Sequence, residues 1–138
     1  MKCWEIMAEN PAFCLPDDNV GQVARLMRRE AVGSVPVVTN DQSQELIGIV
    51  SDRDLAIKVV GESRDTYRTT VYDVMTSIVV ACREDDDVVS AALAMDEYDL
   101  RRVPVVNDSG RLVGVISKMD LAVPIRPNIG SVSNLRAA

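Results

Sequence analysis

The sequence predicts an α/β (α+β) fold in which two β-α-β-β-α repeats pack about a pseudo-two-fold axis. Two observations carry that expectation. The first is a duplicated phrase: Gly48 to Asp54 read GIVSDRD, and Gly114 to Asp120 read GVISKMD. The second is a constant offset ahead of it, for Met7 and Met75, Cys14 and Cys82, and Pro36 and Pro104 each lie 68 residues apart. Words that return in one order at one spacing mark an internal repeat.

Each copy opens on a helical turn, EIM (Glu5–Met7) or DVM (Asp73–Met75), and reaches a short strand at Cys14 or Cys82. A helix follows. Val20, Val23, Ala24 and Met27 recur at i, i+3, i+4 and i+7, the stripe of an amphipathic helix, and Val88, Ala91, Ala92 and Met95 repeat it. Asp18 or Asn19 supplies the first cap and Asp86 or Asp87 the second, where an acceptor satisfies free amides. Two β-rich words come next, VPVV (Val35–Val38) and LIGIV (Leu46–Val50), matched by VPVV (Val103–Val106) and LVGVI (Leu112–Ile116). The second hairpin loop is two residues shorter, which a surface turn absorbs. The expected boundaries are repeat 1 over 1–60, a polar bridge over 61–70, repeat 2 over 71–123 and a loose tail over 124–138. Half a chain of this size cannot bury a sheet face alone, so the copies should share a core. Met7, Met27, Met75 and Met95 are expected in it.

Bulk properties narrow the function. The chain has 15 basic and 21 acidic residues, a net charge of −6, and no basic run, which speaks against general nucleic-acid binding. No stretch of 18 apolar residues offers a membrane span, so no membrane insertion is expected and a cytoplasmic location is. Three cysteines make no C-x-x-C pair, and there is no histidine, which leaves zinc and the commonest general base without their residues. No Walker loop or dinucleotide glycine fingerprint appears. The expectation is that the chain is not an enzyme.

The tandem order of an apolar residue and Met, a helix, a PVV strand and a G-x-x-S-x-x-D strand end resembles the cystathionine-β-synthase (CBS) domain pair, or Bateman module, over Glu5 to about Val123. That resemblance implies a regulatory module that binds an adenosyl ligand between its repeats and signals by a change of shape. AMP, ADP or ATP is the expected ligand, with S-adenosylmethionine and NAD as the wider set, and no cofactor is implied. It also implies a homodimer, formed through the helices after the Ser-x-x-Asp motifs and those before VPVV, and an effector protein of unidentified kind. The competing reading is a structural or dimerisation module with vestigial or empty clefts.

Residue by residue, the resemblance gives Ser51 and Asp54 to one ribose and Ser117 and Asp120 to another. Arg101 and Arg102 are expected to join Ser51 and Asp54 as phosphate contacts, with Ile49, Val79 and Val80 as adenine walls. Ser117 and Asp120 are expected beside Arg53, Ala12 and Val115, in a site poorer in fixed charge. The residues themselves permit this chemistry: a strand end leading into a helix offers free amides, and aspartate can accept both hydroxyls of a diol. They equally fit a capping box, in which the acid three residues on bonds back to the serine amide. An Asp54 bonded to the Ser51 amide would speak for the cap. Gly48 and Gly114 should let a ligand or backbone approach closely. Cys14 and Cys82, being equivalent, could meet across the pseudo-two-fold as a redox pair, although buried cysteines more often act as small apolar residues.

Overall fold

A computed structural model describes residues 1–122. The expected tail, 124–138, and the last residue of the second repeat lie outside the described residues.

Local chemistry sets the elements. The first long helix, α2 (Val20–Glu30), starts at Asn19, whose side chain accepts from the Gln22 amide while Gln22 Oε1 accepts from the Asn19 amide. Val20, Val23 and Met27 are buried on its inner face, Arg28 and Arg29 favour the negative end of its dipole, and Ala31 ends it at φ 56°. Ala24, expected in the stripe, is exposed. Its twin α5 (Val88–Glu97) is capped by Asp87 and buries Ala91 and Met95. The acids just before the caps close the preceding turns: Asp18 accepts from the Leu15 amide and Asp86 from the Arg83 amide, each at 2.9 Å.

Two antiparallel hairpins follow these helices. In the first, β2 (Ser34–Val38) pairs with β3 (Leu46–Ser51); in the second, β5 (Arg102–Val106) pairs with β6 (Leu112–Ser117). Both carry a register shift at the same place, after Val37 and after Val105. Each second strand then enters a helical segment. After β3 comes α3 (Asp52–Asp54), running on as a π-helical stretch over Leu55–Val60, and after β6 comes α6 (Lys118–Ala122).

The lead segments cross between halves. The opening turn α1 (Cys3–Ile6) and β1 (Ala8–Glu9) attach to the second half: β1 pairs with β6, Ala8 opposite Val115 and Glu9 opposite Gly114. Conversely, α4 (Val71–Val74) docks on the first half, where Thr76 bridges Ile49. Behind the hairpins, Cys14 bridges Val37 in the first half, and β4 (Cys82–Arg83) runs parallel to β5 in the second. The second half is thus a four-stranded sheet ordered β1-β6-β5-β4, and the first repeats that order around β3 and β2 through single bridges.

The cores follow the crossing. Val71 and Val74 are buried with Val20, Val35 and Val50, whereas Cys3 is buried with Met95, Val103 and Ile116. Of the four methionines expected in the core, Met27 and Met95 are buried, and Met7 and Met75 pack partly buried against the two cores. The second half of the bridge segment is docked: the Thr69 carbonyl accepts from the Val20 amide at 2.9 Å. The hairpins meet where Leu46 N donates to Gly110 O at 3.0 Å and Leu112 N to Gln44 O at 2.9 Å.

Candidate functional site

The first Ser-x-x-Asp motif closes on itself. Ser51 ends β3 and caps α3. Its amide and its hydroxyl both donate to Asp54 Oδ2, at 2.9 and 3.0 Å, and its oxygen accepts from the Asp54 amide at 3.1 Å. The other carboxylate oxygen, Oδ1, takes Lys58 Nζ at 3.0 Å, and that ammonium also donates to the Val74 carbonyl at 2.9 Å. Asp54 is 13% exposed. This is the capping arrangement that speaks against a ribose role for Asp54. A helix start leaves amides without partners, and the acid three residues on is the nearest acceptor.

The second motif is looser. Asp120 Oδ2 accepts from the Ser117 amide at 2.9 Å, but the return bond, from the Asp120 amide to Ser117 Oγ, stretches to 3.4 Å. Lys118 turns instead toward Asp96, at 4.0 Å. Among the described residues no cation pairs with Asp120. The position matching Lys58 is Pro124, which carries no charge.

The arginines stand nearer this second motif in register than expected. Arg102 begins β5 and lies directly opposite Ser117, because β6 ends where β5 starts. The Arg101 carbonyl accepts from the Lys118 amide at 2.9 Å. Ser51 has Ser34 opposite it instead. Fixed positive charge therefore borders the Ser117 motif, the one expected to be poorer in it. Among the described residues neither Arg101 nor Arg102 forms an ion pair, and no hydrogen bond ties Arg53 to Ser117.

The expected walls divide as the lead segments do. Ile49 exchanges two hydrogen bonds with Thr76, at 2.9 and 2.8 Å, so the stretch that continues to half-buried Val79 and Val80 leaves from beside β3. Val115 lies opposite Ala8, and half-buried Ala12 follows four residues on. What approaches the two glycines is methionine: Met75 covers Gly48 and Met7 covers Gly114. Of the two approaches expected there, backbone or ligand, the backbone one is seen: the Thr76 and Ala8 carbonyls come close along with the methionines, and the crossing chain fills that space. A crevice of about 370 Å³ opens alongside the Met7 crossing, lined by Met7, Glu9, Gln44 and Arg111, and one of about 340 Å³ lies beside Asp18, Gln22 and Arg25. Arg111 bonds the Gln42 carbonyl at 2.6 Å and so stitches one hairpin loop to the other, a role its place in a polar loop gave no sign of.

The cysteines do not meet as expected. Cys14 belongs to the first core and Cys82 to the second, where its neighbour is Cys3. All three are buried free thiols. Burial pushes Cys3 up to about 11 and Cys14 up to about 12, and it raises Cys82 as well. Neutral thiols of this kind are poor nucleophiles.

The chain belongs to the CBS domain family, whose pattern it matches twice, over residues 3–61 and 71–125. Protein MK0525 of Methanopyrus kandleri is 34% identical over 106 residues, which are 77% of this chain and 53% of that protein, so the chain spans about half of that relative's length. CBS domain protein PAE2072 from Pyrobaculum aerophilum, solved as a complex with AMP, superposes with a TM-score of 0.78 at 25% identity, each chain covered in full (100%). The CBS domain pair of protein MJ0100, solved with 5′-methylthioadenosine and S-adenosyl-L-methionine, gives 0.75 at 25% identity, covering 88% of this chain and 93% of that one. No helix among the described residues is long and apolar enough to cross a membrane.

Proposed function

We propose that this chain is a regulatory module, without catalysis of its own, that binds an adenine nucleotide of the AMP, ADP or ATP class between its repeats. The ligand biases the shape of the pair, and a partner protein reads that shape. The module acts as a homodimer in the cytoplasm, a location that three free thiols fit.

One observation carries the reading: at the Ser117 motif a half-buried carboxylate has no cation partner among the described residues, and Arg102, in register with Ser117, has no carboxylate partner among them. A ribose diol suits the first group and a phosphate the second. Val115 and Ala12 are the adenine wall there, with Arg101 and Arg102 as phosphate contacts. The AMP carried by PAE2072 and the adenosyl ligands carried by MJ0100 support the ligand class.

The closed cap at Ser51 favours a second reading for the first motif alone. With both oxygens of Asp54 engaged, that motif, with Ile49, Val79, Val80 and Arg53 around it, is a structural helix start that takes ligand only if Lys58 is displaced. Calorimetry with AMP decides between the readings. One site per chain, lost in Asp120→Ala and kept in Asp54→Ala, is expected. AMP, ADP, ATP and S-adenosylmethionine all failing to bind would end the ligand reading.

A further inference from the structure

The two long helices share one burial pattern and carry opposite charge. Twin positions 68 residues apart hold buried Val23 and Ala91, and buried Met27 and Met95. On the outer side, Arg28 and Arg29 have Asp96 and Glu97 as their twins, and all four are exposed. Where the following helices start, exposed Asp52 has exposed Lys118 as its counterpart. A duplicated helix kept its inner face and reversed its outer one.

Within one chain the basic outer face and the acidic one do not neutralise each other; Asp96 meets only the exposed Lys118 of the helix that follows its hairpin, at 4.0 Å. The basic helix, α2, packs in the first core and the acidic one, α5, in the second, and among the described residues no ion pair joins the two. Arg29 reaches only its neighbour Glu30, at 3.6 Å, while Arg28 and Glu97 pair with nothing among the described residues. Large apolar side chains stand out beside them: Ile57 and Val60 next to the basic helix, and Val89 and Leu93 on the acidic one. Exposed apolar groups rimmed by charge mark a surface that meets a protein.

We infer that this surface docks a second copy of the chain head to tail, with α2 of one protomer against α5 of its partner. The inference rests on the homodimer reading above and adds its orientation. A two-fold dimer uses each contact twice. Head to tail, both uses set Arg28 and Arg29 against Asp96 and Glu97. Head to head, arginines would face arginines and acids would face acids, which costs affinity.

Sedimentation and light scattering on four full-length forms test it: the wild type, R28E/R29E, D96R/E97R and all four changes together. Each two-site variant makes both outer faces alike, and its dimer dissociation constant should rise about tenfold or more, while the fourfold variant should return near the wild type. A 1:1 mixture of the two-site variants should also dimerise, and circular dichroism melts report that each form folds. A wild type that stays monomeric at every concentration overturns the homodimer reading together with this one. A dimer equally tight in all four forms overturns the head-to-tail arrangement alone.

Discussion

Met75 lies across Gly48 so closely that a Cβ on the glycine would stand 2.7 Å from the methionine sulfur and 3.1 Å from the Thr76 carbonyl oxygen. Met7 covers Gly114 in the same way, with the Ala8 carbonyl 3.0 Å from that Cβ position. The glycine in each G-x-x-S-x-x-D word is therefore the seat of the crossing segment. Gly48→Ala should destabilise the chain by roughly 1–3 kcal/mol in urea unfolding, the usual cost of overpacking. Pairing it with Met75→Ala should give less than the sum of the two losses, because the sulfur that collides is gone. Strict additivity would show that the contact is not what fixes glycine there.

The two aspartates should separate stability from binding. Asp54→Ala removes a cap bonded to amide and hydroxyl together with a lysine partner, and should cost about 1–2 kcal/mol. Asp120→Ala removes one amide bond and should cost about 1 kcal/mol or less while weakening AMP at least tenfold. Denaturation and calorimetry on both proteins check this; equal effects of the two changes on both readouts would contradict the distinction.

Arg102→Ala should weaken AMP and leave the melting temperature in place, since among the described residues no carboxylate pairs with it. Arg102→Lys should recover only part of the affinity, for an ammonium cannot reproduce a two-pronged contact with phosphate. Loss of thermal stability in either variant would assign Arg102 to packing.

Alkaline pH should destabilise the fold through its thiols. Cys14 at about 12 and Cys3 at about 11 keep their protons in the folded chain well above the ordinary thiol value of 9.0. Below pH 9 both states are protonated and nothing is lost. Above it the unfolded chain gives up protons first, so stability falls as pH rises from about 9 toward 11 to 12. Cys14→Ala should flatten that decline in melts between pH 8 and pH 11, whatever it costs at neutral pH; an unchanged slope would exclude the thiol as its source.

Much of the architecture was legible in the chain because it is local. The helix stripe through Val20, Val23 and Met27, both VPVV strands and the place of each cap depend on side chains a few residues apart. The family followed from the doubled G-x-x-S-x-x-D word. What could not be read is pairing at a distance. Nothing in the period of EIM or DVM says that each turn docks on the other copy, because its apolar residues suit either core. The same gap explains the cysteines: equivalent places in two repeats are related by the axis, which does not make them neighbours. At the candidate site the words gave the residues but not their state. Whether Asp54 is occupied depends on Lys58 one turn on, and its counterpart across the repeat is a proline.

The exchange of lead segments makes the chain its own partner. A fragment ending near Val60 would carry a leading strand that fits no edge of its own, and a hairpin whose edge awaits a strand it does not possess. Two such fragments could complete one another only by trading arms, and the stretch from Gly61 to Thr70 makes that trade intramolecular, at an effective concentration in the millimolar range for a short tether. Cutting that tether should therefore leave two pieces that stay associated, and diluting them should unfold both together.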